Sequence, residues 1–580
     1  MPAKLKIPDK KLLVIITIVL TIAIWLVGMS FPNQRLWGIN HLAYFSIKYS
    51  LAYIALMLIA YIILIDQSRS SNIAGPKRIL LKAWRGIPRV IKVIFSGILA
   101  LCLFYIFRDK ALLLGDAILR VGELQDCGLD RLSSTSAAEP LDFLIHYGIF
   151  HYIFVPLKLN STLCYQVISY IAGLIYIGAA WSFAGYIRTK TLEQWLVFSY
   201  LLGWGGTMMF FGYAEEYGLA AAALMLFIYS AAKYIKSGKG IIALSIIALV
   251  CFFLHNLLIV IFPAIFYLFW QEFRHNKRRA LATALVNIVP VLLWMVYSYS
   301  RKESGAFLLF ESGTEPGYFI WSGAHIVDIV NQLFLVCPPI MVMSLLQRPI
   351  ESIKDKNNRL RRVIWLVALA SLAVLILVDP QLSMYRDWDL FALPLLSLHV
   401  ALFLGVDWSK VNRSLKIAIA VIAVGTTGLW VQINASTEIA LSRYQSQLPL
   451  DFARGRYGYQ RLGVYYMTHN RLEEAEAAYK NAIAIKPHAR SYINLGLVQA
   501  RLNKKDDAIA SLKKSLELVP NQAAVLDALA RLYYETERYE EALDMMTRLS
   551  GSPGYADQPG NQAMINNLQA LIAAKNSPAK

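Results

Sequence analysis

The sequence predicts an all-α protein made of a polytopic helical membrane domain with about 13 transmembrane helices, followed by an α-solenoid of about three repeats. Runs of about 18 to 22 apolar residues, enough to cross roughly 30 Å of hydrocarbon as a helix, recur from Leu12 to Val431. After these runs the composition changes to charged, Ala-rich segments with a helical period. Only 16% of the residues are charged, against about 25% in ordinary soluble domains, so most of the chain is predicted to lie in a bilayer.

The predicted organisation has four parts, which are a membrane domain at 1–433, a linker helix at 434–455, repeats at 456–550 and a terminal helix with a tail at 551–580. The first span follows a basic N-terminus but is too long for a signal peptide and has no small-residue cleavage site, so we expect it to be retained. The predicted spans are 12–29, 42–65, 90–107, 162–187, 192–211, 217–234, 241–254, 257–271, 281–297, 325–346, 363–378, 388–405 and 414–432.

The charge pattern predicts an orientation. The formal net charge is +19, but the Lys and Arg residues form short clusters between the apolar runs, which argues against a nucleic-acid partner. If residues 241–271 form a hairpin that turns at His255-Asn256, and not one long helix, every basic cluster lies on one side. Because basic loops stay in the cytoplasm, the N-terminus is predicted to be cytoplasmic and the C-terminal domain external or periplasmic.

The cysteines do not predict a disulfide framework. Four of the five, Cys102, Cys164, Cys251 and Cys337, lie within predicted spans, and Cys127 lies alone in a loop.

Residues 456 onward repeat with a period of about 33 to 34 and match the pattern of a tetratricopeptide repeat. Small Gly and Ala residues let the two helices of each unit approach closely, and large residues fill the remaining space. Stacked helix pairs form a concave groove that usually holds a peptide or a protein partner, although these units could instead only cap the membrane domain. The first unit carries Tyr459, Leu462, Gly463, Tyr466, Ala475, Tyr479, Ala482 and Pro487, the second Tyr492, Leu495, Gly496, Ala508, Leu512 and Pro520, and the third Leu526, Leu529, Ala530, Tyr533 and Ala542.

The first large external loop, at 108–161, is too long to be a simple connector. It contains two amphipathic stretches, LLLGDAILRVGEL and PLDFLIHYGIFHYIFVPLKL, that we expect to lie on the membrane surface. Conspicuous acids also lie at the external mouths of spans, where they do not set topology and need another explanation. For Asp116 alone the simpler interpretation is a helix-start or turn aspartate. The acids are Asp116, Glu215, Glu216, Asp379, Asp387 and Asp389.

The motifs LLLGDAILR, FFGYAEEYG, FFLHNLL and YRDWDLFALP, with the long first loop and the external repeats, resemble those of GT-C glycosyltransferases, which use polyprenyl-phosphate-linked sugars. The domain order is similar to that of the transmembrane and tetratricopeptide-repeat O-mannosyltransferases and of prokaryotic relatives. The sequence departs from the mannosyltransferase pattern because it has one acid at Asp116, where those enzymes have an adjacent Asp-Glu pair.

The resemblance implies a GT-C-like membrane fold in a prokaryotic plasma (inner) membrane and an inverting hexosyl transfer at its outer face. The implied partners are a lipid-linked sugar donor, an acceptor protein or glycolipid, the lipid bilayer, and a protein partner on the repeat groove. By residue correspondence, Asp116 would be the general base that takes the proton of the acceptor hydroxyl, which requires only hydrogen-bond reach.

The donor phosphate would leave as an anion, so a cation must stabilise it. Arg386 is the first candidate because a guanidinium matches phosphate oxygens, and Arg108, Lys110 and His255 are further candidates. The remaining residues would bind substrate. Asp387 and Asp389 would orient Arg386 or bind sugar hydroxyls, Trp388 would stack on a sugar or mark the membrane interface, and Glu215 and Glu216 would be second acids below Asp116.

The sequence assigns no metal site. Asp116, Glu215, Glu216 and Asp387 could form an oxygen site for Mg²⁺ or Mn²⁺, as in some members of the wider fold, but close relatives are thought to work without metal. His146 and His151 are five residues apart, a poor match to zinc-binding pairs on helices.

Three other functions stay open from the sequence. The first is a non-catalytic membrane scaffold whose external repeats recruit proteins. The second is a lipid-linked glycan polymerase or ligase, although that class places its large loop late in the chain. The third is a transporter, which the absence of charge at mid-span disfavours.

Overall fold

The computed structural model describes residues 10–69, 86–126, 138–188, 190–300, 318–348, 358–380, 382–552 and 559–576. Cys127 and most of the predicted 298–324 loop lie outside these ranges, as do parts of the tail predicted at 551–580. Within them the secondary structure is helical, apart from an isolated bridge between Gln347 and Val406 and a further bridge residue at Val378. The chain divides into two compact units, 1–447 and 448–580.

The first unit contains seventeen α-helices in its described part, joined in four places by short 3₁₀ or π segments. The α-helices are α1 Lys10–Ser30, α2 Ile47–Arg69, α3 Arg89–Ile106, α4 Ala117–Asp126, α5 Pro140–Ile149, α6 Ser161–Ile187, α7 Thr191–Leu202, α8 Tyr217–Ser237, α9 Ile241–Leu254, α10 Phe262–Phe273, α11 Lys277–Ser300, α12 Gly323–Val336, α13 Ile340–Leu345, α14 Asn358–Leu377, α15 Trp388–Gly405, α16 Arg413–Ala435 and α17 Thr437–Gln447. The short segments are His41–Tyr44, Phe150–Phe154 (π), Gly205–Phe210 and Asn256–Ile261.

Ten described segments are long and apolar enough to cross a membrane: α1, α2, α3, α6, α8, Asn256–Phe273, α11, α14, α15 and α16. Two shorter apolar helices, α9 and α12, accompany them. The count of thirteen spans predicted from the sequence is therefore not confirmed, because length and composition support ten segments of full length.

Two predicted spans are broken for local reasons. The span predicted at 192–211 ends as an α-helix at Leu202, where Gly203 lies so close to Ala423 of α16 that no side chain would fit. The buried 3₁₀ segment Gly205–Phe210 follows it, and irregular backbone at membrane depth is tolerated when protein surrounds it. The span predicted at 325–346 is interrupted at Pro338 and Pro339, which cannot continue a helix.

The second unit begins with the 3₁₀ segment Leu448–Asp451 and continues as antiparallel helix pairs. Gly463 faces the ring of Tyr479 and Gly496 faces Leu512, so the small residues predicted from the repeat pattern do lie where the two helices of a pair meet. The helices are α18 Phe452–Thr468, α19 Leu472–Ile485, α20 Ala489–Arg501, α21 Lys505–Leu518, α22 Ala523–Glu535, α23 Tyr539–Ser550 and α24 Pro559–Asn576.

Candidate functional site

Three loops of the first unit meet at Gly115. The loop after α3 carries Gly115, whose N–H donates a 3.0 Å hydrogen bond to the carbonyl oxygen of Arg386. Its φ of +58° is a conformation that favours glycine. A Cβ at this position would collide with the Glu215 carboxylate and come within 3.0 Å of the Tyr213 hydroxyl and 3.1 Å of an Asp389 carboxylate oxygen. The absence of a side chain at 115 therefore allows the acids of the other two loops to converge.

Asp116 is partly exposed and immediately precedes α4. Its carbonyl accepts the N–H of Arg120 at 3.0 Å, and its own N–H donates to the Glu215 carboxylate. It thus has the position at the helix start that the simpler interpretation expects, and also lies at the edge of a buried acidic cluster.

Arg120, one turn further along α4, holds that cluster together. Its guanidinium lies 3.0 Å from a carboxylate oxygen of Glu139, 2.5 Å from one of Glu216 and 3.9 Å from one of Glu215. Glu139 immediately precedes α5, and the Ala138 carbonyl accepts the N–H of Asn256 at 2.7 Å. Arg120 therefore connects α4, the start of α5 and the loop that precedes α8.

One guanidinium cannot neutralise three carboxylates, so the acids titrate differently. Burial, and then the neighbouring Glu216 charge, raises the pKa of Glu215 well above its usual range. Burial raises the pKa of Glu139 to about 8, even though Arg120 opposes this shift. Burial opposes ionisation of Glu216 too, but Arg120 and a hydrogen bond from Glu215 outweigh it and lower its pKa. At neutral pH the ionised pair is therefore Arg120 and Glu216, with Glu215 and Glu139 mainly protonated.

The third loop contributes buried groups from the start of α15. Asp389 accepts a 2.6 Å hydrogen bond from the Tyr213 hydroxyl and is 1% exposed. Trp388 is fully buried against the rings of Tyr213 and Trp430, with centroids 5.6 and 5.3 Å away. The structure thus places Trp388 in the protein interior, without the exposed ring face that stacking on a sugar would need.

Arg386, Asp387, Arg108 and Lys110 occupy different surroundings from the cluster. The Arg386 side chain is fully buried, with its guanidinium carbon 5.9 Å from the centre of the Tyr444 ring. Asp387 is partly exposed and accepts the N–H of Leu382 at 2.7 Å, within its own turn. Arg108 is partly exposed and Lys110 is exposed, on either side of the buried Asp109.

In the described part of the chain, one group of side chains is close enough together to be considered for a metal ion. It consists of Glu139, Glu216 and His255, whose ligand atoms all lie within 4.8 Å of one another. Two observations argue that these residues do not fit an ion. The Arg120 guanidinium already supplies the positive charge there. The Nδ1 of His255 accepts the N–H of Leu257, so the neutral ring carries its proton on Nε2, where a metal would need a lone pair. Burial lowers the pKa of His255 to about 4, which keeps the ring neutral.

A second buried pair extends the cluster into α5. The Nδ1 of His146 lies 2.8 Å from an Asp142 carboxylate oxygen, and the ring stacks on Tyr165 with centroids 4.2 Å apart. Burial disfavours the charged imidazole, but the Asp142 charge outweighs it and raises the pKa of His146. His146 is thus the ion-pair partner of Asp142.

Among the predicted site residues the structure brings together Asp116, Glu215, Glu216, Asp389 and His255. Sequence reasoning missed Arg120, Glu139 and Tyr213. Arg120 could have been found, because it is the one basic residue of LLLGDAILRVGEL and lies one helical turn from Asp116. Glu139 has no such signal, since only the fold brings it near Glu216.

Comparison with known proteins bears on the second unit. Tetratricopeptide-repeat models match residues 457–488, 489–522 and 525–557. Similar proteins include ETO1-like protein 2 of Arabidopsis thaliana, 36% identical over 101 residues that make up 17% of this chain and 11% of that protein. They also include the peroxisomal targeting signal receptors of Komagataella phaffii and Komagataella pastoris, each 31% identical over 135 residues, with 19% of this chain and 23% of the receptor covered. This chain thus spans less than a quarter of each relative's length.

A crystal structure of the APC/C hetero-tetramer Cut9–Hcn1 is also similar, with a TM-score of 0.19 and 14% identity over 72% of this chain and 74% of that one, too low to carry an argument. No protein named here is a glycosyltransferase, so that resemblance stays a prediction. The matches confirm the repeats predicted from the sequence, and the C-terminal unit of this chain is built from tetratricopeptide repeats.

Proposed function

We propose that this protein recruits a partner protein through its tetratricopeptide repeats and that the apolar helices of its first unit anchor it in a membrane. The repeat family supports the first part, because stacked helix pairs of this kind bind proteins. Two of the relatives are named as receptors for a peroxisomal targeting signal. The comparisons favour this function over any activity of the membrane unit.

The charge distribution within the repeats indicates an acidic partner segment. The helices α18 and α20, the first of their pairs, contain no Asp or Glu, whereas α19 and α21 carry several. Burial of His488, and then the positive charges of Arg456, Arg490 and Lys486, lower its pKa. This basic patch, Arg456, Lys486, His488 and Arg490, joins the first two repeats and carries the proposal. The basic residues of α18 and α20 are Arg454, Arg456, Arg461, Arg490 and Arg501.

The test measures binding of labelled acidic and basic peptides of equal length to the full chain in detergent. We expect the acidic peptide to bind, and Arg456→Ala with Arg490→Ala to weaken it about fivefold, as two exposed ion pairs predict. The matched control is Arg531→Ala, which removes an exposed arginine already paired with Asp527 at 3.0 Å. Equal binding of both peptides, or no effect of the double change, would reject the acidic partner.

A second proposed function is sugar transfer from a polyprenyl-phosphate donor to an acceptor hydroxyl, with the repeats selecting a protein acceptor. The observation that favours it is the position of Asp116, a partly exposed carboxylate at the edge of a buried acidic cluster. Groups of this kind, held between buried titratable neighbours, are typical of catalytic sites.

In this reaction Asp116 takes the proton of the acceptor hydroxyl as its oxygen attacks the anomeric carbon. The bond from that carbon to the phosphate oxygen breaks with its electron pair, and the polyprenyl phosphate leaves with inversion at carbon. Glu215 positions Asp116 by accepting its backbone N–H. The buried Arg386 acts through its carbonyl on Gly115, so the accessible cations for a donor phosphate are Arg108 and Lys110.

The test is transfer of labelled sugar from membrane polyprenyl-phosphate sugars to protein, compared at equal abundance in the membrane. We expect Asp116→Asn to lower transfer about a hundredfold or more, as loss of a general base does, while Asp126→Asn at the exposed end of α4 leaves it unchanged. Transfer that survives Asp116→Asn would leave the recruiting function alone.

A further inference from the structure

A cavity of about 300 Å³ separates α3 from α16 in the half of these helices nearest the acidic cluster. Its walls come from α3, α6, α16 and the segment Gly205–Phe211, and they are apolar apart from a few hydroxyl and amide groups. The volume is at the lower end of the roughly 300–1,000 Å³ of small-molecule sites, which fits a length of one hydrocarbon chain. The residues that line it include Leu103, Phe104, Phe107, Ile177, Phe210 and Val431.

The end of this cavity is basic. Phe107 lines the cavity, and Arg108 follows it with a partly exposed guanidinium. Lys110 is exposed, and its backbone N–H donates to the carbonyl of Asn434 at the end of α16, 3.3 Å away. Both cations therefore lie where α3 and α16 leave the apolar region.

A buried hydroxyl lies beside Arg108. Tyr170 is 8% exposed, and its hydroxyl has no hydrogen-bond partner among the described residues. A Cβ at Gly212, whose φ is +71°, would lie 3.1 Å from the Cβ of Arg108 and 3.2 Å from the Tyr170 hydroxyl. Phe104 and Phe211, which line the cavity, are also in ring contact, and Phe104 stacks on Tyr170. The Tyr170 hydroxyl and the Arg108 side chain thus lie close together at the rim of the apolar slot, and the Arg108 guanidinium donates to the Tyr105 carbonyl at 2.9 Å and lies over the Tyr105 ring.

We propose that this is a binding site for an anionic glycerophospholipid, with one acyl chain in the cavity and the headgroup phosphate at Arg108, Lys110 and Tyr170. Guanidinium, ammonium and hydroxyl groups are the donors that phosphate oxygens accept, and basic pockets between membrane helices bind anionic headgroups. Because the slot lies between α3 and α16, two of the segments long and apolar enough to cross a membrane, mass action favours an abundant membrane lipid over a scarce one. The bound headgroup would brace the loop that leads from Arg108 to Gly115.

The test measures lipid binding to the purified full chain by native mass spectrometry, with phosphatidylglycerol, phosphatidylcholine and polyprenyl phosphate as probes. We expect phosphatidylglycerol to bind about tenfold more tightly than phosphatidylcholine, the ratio that one charge-assisted contact gives. Tyr170→Phe, which removes a hydroxyl without a described partner, and Ala100→Trp, which fills the cavity, should each weaken phosphatidylglycerol binding severalfold, because the first removes a phosphate donor and the second removes the space for the acyl chain. The control is Leu292→Trp, which adds the same ring on α11 at a side chain that is 54% exposed. Phosphatidylglycerol binding should be unchanged in this control.

Equal binding of the two phospholipids, or unchanged phosphatidylglycerol binding in both variants, would overturn the site. Displacement of phosphatidylglycerol by polyprenyl phosphate at equal concentration would show that the ligand is not a glycerophospholipid. The cavity would then be a binding site for a polyprenyl-phosphate sugar donor. The sugar-transfer proposal gives the same two cations, Arg108 and Lys110, to a donor phosphate, so displacement by polyprenyl phosphate would support that proposal. Because binding is measured without sugar transfer, failure of the phospholipid site leaves both proposed functions standing.

Discussion

The N–H of Gly115 donates to the carbonyl of Arg386 at 3.0 Å, and this bond joins the loop after α3 to the turn before α15. The Glu215 carboxylate occupies the space that a side chain at 115 would need. The geometry of the acidic cluster thus depends on a glycine, and its three loops cannot move apart independently.

Gly115→Ala should destabilise the first unit by at least about 1–2 kcal/mol, because an L-residue with positive φ is strained and its methyl group would displace Glu215. Thermal unfolding of the full chain in detergent measures the change. The control is Gly122→Ala in α4, where no atom lies within 4 Å and alanine should stabilise by about 0.5–1 kcal/mol. Equal melting temperatures for the two variants would show that the three-loop contact contributes nothing.

Arg120→Ala should cost about 3–5 kcal/mol, because it leaves the ionised Glu216 buried without its partner. Adding Glu216→Gln to this variant should recover part of the loss, since the buried charge is then removed as well. Chemical denaturation followed by Trp fluorescence measures both. The matched control is Arg279→Ala, whose side chain is 40% exposed and whose loss should cost at most about 1 kcal/mol. Failure of Glu216→Gln to rescue would mean that Arg120 acts through packing alone.

The acidic cluster should make stability pH-dependent. Glu139 has a folded-state pKa of about 8 against an ordinary value of 4.5, so between these values the folded protein binds the proton more tightly than the unfolded chain does. Its contribution is therefore most favourable below pH 4.5 and is lost as the pH rises to about 8. Glu139→Gln removes this pH-dependent contribution, so the variant should lose less stability than the wild type as the pH rises. The difference in melting temperature, variant minus wild type, should therefore increase from pH 5 to pH 8. A difference that stays constant over this range would show that Glu139 is ionised throughout.

The sequence predicts the helical class and the repeats because both depend on local periodicity, and Gly463 and Gly496 lie where the repeat pattern requires small residues. It also predicts the acids that converge, since Asp116, Glu215, Glu216 and Asp389 all lie at predicted helix ends. Its prediction of thirteen spans is not confirmed, because Gly203 and Pro338 lie where helices of continuous apolar composition end. It misses Glu139 and mistakes the surroundings of Trp388, because both depend on contacts between segments far apart in the chain. For the same reason it cannot foresee that Arg386 is buried.

The close approach of α20 to α21 gives a prediction for the repeats. Gly496→Ala should destabilise the second unit by about 1–3 kcal/mol, because the new Cβ would lie 2.7 Å from the Cγ of Leu512 and 3.2 Å from the Ala508 carbonyl oxygen, and backbone cannot move as easily as a side chain. Hydrogen exchange measured by mass spectrometry should then become faster across 489–518 and stay unchanged across 388–405, since the two segments belong to different compact units. The control is Gly551→Ala, whose Cβ would have its nearest contact at 3.5 Å. Faster exchange in both segments would contradict independent units. No change in either segment would mean that the Cβ added at residue 496 does not weaken the helix pair.

The same variant also tests the basic patch, which joins the first two repeats. Because Gly496→Ala loosens the second repeat, binding of the acidic peptide should weaken. Normal binding together with faster exchange would show that the basic patch does not depend on the packing of α20 against α21.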